Sequence, residues 1–166
     1  MNTLATKISG RAIKTVGAAA ILMLSASAAQ AQSGPFAGFN GAWNGSGTVS
    51  MSDGSSERIR CRATYKVDGS GTGLAQTLRC ASDSYKFDLT SNVTSQGNNV
   101  SGSWSEASRN VFGNLNGRAG GGQIDVFVEA AGFAANITLT TRGNKQSVQI
   151  SSKGDIRGVS INMIKS

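Results

Sequence analysis

Arg58, Arg60 and Arg62 occupy alternate positions of the stretch SSERIRCRATYKV (55–67), with Cys61 between the last two. Alternate positions of a β-strand share one face. Three guanidinium groups on one face are a candidate anion-binding site, because the planar fork of arginine matches phosphate, sulfate and carboxylate groups. The plainer account is a solvated strand face whose charges discourage edge pairing. Cys61 belongs to the other face and has different chemistry.

Other reactive constellations are sparse. The chain has no histidine, which removes Ser-His-Asp and Cys-His arrangements and the usual near-neutral proton shuttle. Glu57, Asp88, Glu106, Asp125 and Glu129 could supply paired carboxylates, but alternation sets most of them on solvated strand faces. Nothing in their surroundings marks Lys86 or Lys145 as a nucleophile. GRAGGGQ (117–123) has glycine enough for a phosphate loop, yet strand patterns flank it on both sides where a helix N-terminus is needed. It is read as a hairpin turn. No catalytic residue, metal site or cofactor is expected, and the chain is read as a non-enzyme.

The elements that position these residues are strands. Period-2 alternation runs through segments at roughly 42–51, 57–67, 74–81, 85–93, 99–105, 110–118, 123–130, 133–141, 146–152 and 157–164. Turn sequences such as SDGS, DGSGTG, SQGNN, AGGG, RGNK and SKGD separate them. Short strands joined by tight turns predict an all-β, antiparallel up-and-down meander of about eight to ten strands. A closed barrel is favoured over a sandwich. Pro35, the only proline, lies ahead of the first strand and interrupts no pairing.

Cys61 and Cys80 are the only cysteines. Opposed residues of an antiparallel hairpin keep a constant sum of positions. Pairing these two therefore centres the hairpin between Ser70 and Gly71, inside DGSGTG, where the turn residues independently put it. A cross-strand disulfide is predicted, worth about 3 kcal/mol in the chain-entropy picture. The same register sets Val67 against Leu74, Tyr65 against Gln76 and Ala63 against Leu78 on an apolar face. On the polar face it sets Arg62 against Arg79, and Arg58 against Asp83. For the preceding hairpin, burial selects an odd loop over Asp53-Gly54-Ser55, with a bulge. That loop pairs Val49 with Ile59 and Trp43 with Tyr65, and flanks the arginines with Ser46, Thr48 and Ser50.

Trp43, Tyr65, Phe87 and Trp104 are the candidate interior residues. Gly45, Gly47, Gly102, Gly113 and Gly117 share the inward phase. Interior strand glycines mark either tight coiling of a small barrel or room for a ligand. Coiling follows from closure alone and is the preferred account.

Residues 1–31 read as a secretory signal: basic Lys7, Arg11 and Lys14, the apolar run VGAAAILMLSASAA, then Ala29-Gln30-Ala31 ahead of the cleavage point. The apolar run is shorter than the roughly 20 residues a spanning helix needs, so the mature chain has no transmembrane segment. Cleavage after Ala31 leaves residues 32–166 as a single domain, and net charge falls from +7 to +4. An even cysteine count fits an oxidising periplasmic or extracellular compartment. Mild basicity outside the membrane favours anionic surfaces, not nucleic acid.

FNGAW (39–43) resembles the G-x-W signature of calycins, the lipocalin and avidin group. The resemblance implies a tryptophan closing one barrel end, with a basic residue near the last strand packed over it; Arg157 is the counterpart by position. No second lipocalin motif follows. Trp43 and Trp104 alone do not reproduce the several biotin-facing tryptophans of avidins, so biotin binding is not implied. Most of the mature chain resembles small exported alphaproteobacterial proteins. The expectation is an exported, non-enzymatic β-barrel that binds a small ligand inside, or an anionic envelope polysaccharide or lipid on its basic face. The alternative is a structural or interaction protein of the envelope, including an inhibitor of a secreted enzyme, whose partner is another envelope protein. A histidine-free hydrolase ranks last.

Overall fold

The computed structural model describes residues 33–166. The expected signal segment and its cleavage point lie outside the described residues. Ten antiparallel strands follow one another: β1 (Gly41–Met51), β2 (Ser56–Val67), β3 (Gly73–Ala81), β4 (Lys86–Gln96), β5 (Asn99–Glu106), β6 (Val111–Gly120), β7 (Gln123–Ala130), β8 (Phe133–Arg142), β9 (Lys145–Ser152) and β10 (Ile156–Lys165). Each pairs with its sequence neighbours, and β1 pairs with β10, so the meander closes into a barrel without free edges. Two of the tight turns, Gly97-Asn98 and Gly143-Asn144, put a glycine with φ of 61° and 59° first. That left-handed start suits a II′ hairpin.

Inward positions are mainly apolar and outward positions are mainly serine, threonine, asparagine and charged residues. This is the reverse of a barrel that faces lipid, which needs an outward apolar band. Among the described residues, no helix is long and apolar enough to cross a membrane.

The second hairpin has the expected register: Cys61 opposes Cys80, Arg62 opposes Arg79, Tyr65 opposes Gln76 and Val67 opposes Leu74. Cys61 and Cys80 are disulfide-bonded. Asp83 is not opposite Arg58, because β3 ends at Ala81 and the chain turns there.

The first hairpin corrects the sequence reading. Val49 pairs with Glu57 and Trp43 with Ala63, not with Ile59 and Tyr65. The loop is odd, as expected, but it centres on Asp53. The Met51 N–H donates to the Ser55 carbonyl at 2.9 Å, and the Asp53 carboxylate accepts the Ser55 N–H at 2.8 Å. Moving the centre by one residue moves every pair by two and leaves each side chain on its expected face. Hence Asn44, Ser46 and Thr48 oppose Arg62, Arg60 and Arg58. The irregularity in β1 lies in its pairing with β10, between Ser50 and Met51.

One end of the barrel is stoppered. A single 3-10 turn, Ala37–Phe39, precedes β1 and buries Phe36 and Phe39 over the strand ends. The Trp43 indole N–H donates to the Phe39 carbonyl at 2.9 Å. Phe39 also meets Tyr65 edge-on at 6.2 Å between ring centres.

Candidate functional site

The other end opens into the barrel. A cavity of about 410 Å³ runs inward from it, walled by residues of β2–β10 such as Leu78, Leu89, Leu115, Ile137 and Ile150. The inward-facing Leu78, Phe87, Leu89, Val111, Ile137, Ile150 and Ile156 pack on the core yet stay only partly buried, because they border open space.

The strand glycines do not create this space. A Cβ on Gly45 would meet the Asn162 carbonyl oxygen at 2.0 Å, and one on Gly113 the Glu129 carbonyl oxygen at 1.8 Å. Gly47, Gly102 and Gly117 are equally close to a neighbouring backbone. These glycines let strands cross tightly as the sheet coils. The cavity exists instead because the largest fully buried side chains gather at the stoppered end. Trp43 and Tyr65 are fully buried there with Phe36 and Phe39.

The four expected interior residues all point inward, at different depths. Trp43 fills the stopper, Tyr65 forms part of the cavity floor, Trp104 walls it, and Phe87 sits half-buried towards the mouth. Trp104 donates its indole N–H to the Asn114 carbonyl at 3.2 Å and packs edge-on against Phe133 at 5.7 Å.

The floor carries a small set of polar groups. The Tyr65 hydroxyl donates to Gln146 Oε1 at 3.0 Å, and Gln146 Nε2 donates to Thr141 Oγ1 at 3.0 Å. Burial pushes the Tyr65 phenol far up, outweighing the Gln146 bond, so it stays neutral. Beside it Ser91 Oγ donates to Gln76 Oε1 at 3.0 Å. With its carbonyl engaged, Gln76 keeps an amide NH₂ as the donor left for a guest.

At the mouth the sequence reading needs a correction. Glu106 is not on a solvated face. It is 6% exposed and contributes to the cavity wall. Its carboxylate ties the β5–β6 turn, accepting the Asp88 N–H at 3.0 Å, the Ser108 N–H at 3.1 Å and the Arg109 N–H at 2.9 Å. Burial raises this carboxyl, but those backbone donors outweigh it and hold the group below its ordinary range. Alternation along β5 gives Glu106 the same phase as Trp104, which is the signal that could have found it. Arg109, missed in the sequence, lies over the Phe87 ring at 4.8 Å and reaches Glu106 Oε2 at 3.5 Å. Glu57 also faces inward, accepting the Ser82 hydroxyl at 2.7 Å.

The arginine row lies on the outer wall, apart from the cavity. Arg58, Arg60, Arg62 and Arg79 are all exposed, and Arg79 pairs with Asp88 at 3.2 Å. Arg157 does not cover Trp43. It follows Ile156, the first residue of β10, at the open end, donating to the Lys153 carbonyl at 3.0 Å. Because β10 runs antiparallel to β1, the residue opposite Trp43 is Lys165, whose Nζ lies 5.6 Å from the centre of the Trp43 ring.

No known family matches the chain, and no curated protein matches it. Its barrel is similar to the crystal structure of Rv2717c from M. tuberculosis, with a TM-score of 0.62 over 76% of this chain and 92% of that one. At 11% identity the likeness shows a shared fold and carries no activity.

Proposed function

We propose that this is an exported, non-enzymatic binding protein of calycin type that holds a small apolar molecule inside its barrel. The observation that carries the reading is the cavity of about 410 Å³, apolar on its walls and open at one end. That volume falls within the roughly 300–1,000 Å³ of small-molecule sites. Its partly buried leucines and isoleucines gain by leaving water, at about 25 cal/mol per Å² covered. The floor offers orientation through Gln76 and Ser91 and has no nucleophile–base pair, so retention of a guest is the chemistry it suits. The Trp43 stopper with Lys165 against it supports the calycin-like reading, and the disulfide fits an oxidising compartment.

The test is mass spectrometry of the organic extract of natively exported protein. The expected result is a small hydrophobic species in near-stoichiometric amount. Protein that is fully folded and yields no such species from any growth condition contradicts the reading.

A further inference from the structure

We infer that the outer wall formed by β10, β1, β2 and β3 is a second binding site, for a linear acidic polysaccharide. Arg58, Arg60 and Arg62 are solvated, and among the described residues neither ion pair involves them; those pairs join Arg79 to Asp88 and Arg109 to Glu106. Their side chains leave the same face of one strand, about 7 Å apart. Arg62 is directly opposite Arg79 on β3. Like charges so placed repel in a sheet, and the neighbouring Cys61–Cys80 disulfide ties the two strands at that level. The result is a fixed basic ridge whose charge the fold leaves largely uncompensated.

Beside the ridge runs a shelf of short hydrogen-bonding side chains. Asn44, Ser46 and Thr48 lie across from the three arginines on β1, and Asn162 and Ser160 continue the shelf on β10, opposite Ser46 and Thr48. A chain lying along β2 would set its anionic groups on the guanidinium forks and its hydroxyls on the shelf. A bilayer fits less well. The wall is convex, and of the exposed large apolar side chains Phe112, Phe127 and Phe133 belong to β6, β7 and β8, outside it; Ile164, at the end of β10, is the one on this wall.

The test measures binding of labelled dextran sulfate and of neutral dextran of equal length, at low and moderate salt. Two triple variants are compared with the parent protein. One is Arg58→Ser/Arg60→Ser/Arg62→Ser. The other, Arg118→Ser/Arg142→Ser/Lys145→Ser, removes the same net charge from exposed positions elsewhere. The parent is expected to bind dextran sulfate saturably, with affinity falling as salt rises, and to ignore neutral dextran. The ridge variant should lose about tenfold in affinity, and the second variant less than twofold. Equal losses in both variants, no loss in either, or tighter binding to phosphatidylglycerol vesicles than to dextran sulfate would each overturn the inference.

Discussion

Glu106 shows how a single side chain serves the mouth of the cavity. Its carboxylate is buried and collects three backbone N–H donors, two from the turn beside it and one from Asp88 on β4. Its ionised form is therefore favoured in the folded barrel relative to the unfolded chain. A carboxyl with a depressed folded value adds stability that is full above its unfolded value, near 4.5, and is lost as pH falls through the lower folded value. Glu106→Gln should accordingly cost about 1–2 kcal/mol at pH 7, with the gap to the parent narrowing at pH 3. Urea unfolding at the two pH values measures this. Asp53, Glu57 and Asp68 are also held low by hydrogen bonds, but they are common to both proteins, so the difference isolates Glu106. A gap that stays constant with pH would count against the assigned role. At this scale the inward face of Glu106 was legible from its phase with Trp104. Its turn-clamping partners were not, because they come from backbone that alternation does not describe.

Among the elements, the β2–β3 hairpin was the most legible, because two cysteines and one turn motif agreed on a single centre. The disulfide that results closes a separation of 19 residues, so Cys61→Ala/Cys80→Ala should lower stability by about 3 kcal/mol. Chemical denaturation of parent and variant reads this loss; equal midpoints would contradict it. The β1–β2 hairpin was legible only in part. Alternation fixes which face a residue takes, and both candidate centres satisfy it. The choice between them rests on local contacts such as the Asp53 carboxylate capping Ser55, on which alternation and burial carry no information. The same limit explains Arg157 and Lys165. Both are basic residues of β10, and only the direction of pairing decides which end of the strand meets Trp43.

Across the whole molecule, Phe36, Phe39, Trp43 and Tyr65 fill one end, while mainly aliphatic side chains, with Phe87, Trp104 and Phe133, line the rest, which leaves a barrel stoppered below and hollow above. The closed all-β meander was readable from period and turn spacing. The hollow was not. A cavity depends on which inward residues meet across the barrel, and period-2 patterning carries no information on that distance. The strand glycines, a feature compatible with ligand space in the sequence, serve close strand crossing instead. The central claim is that this hollow takes an apolar guest, and the most direct measurement is fluorescence titration with N-phenyl-1-naphthylamine, an uncharged apolar probe. Leu78 and Leu89 face each other across β3 and β4 within the wall, so Leu78→Trp/Leu89→Trp should fill the space at a cost of about 1–3 kcal/mol. The account predicts saturable binding of one probe per parent molecule, with the emission gain lost in the filled variant while its thermal unfolding stays cooperative. No saturable binding to the extracted parent protein, or equal binding to the folded variant, would contradict it.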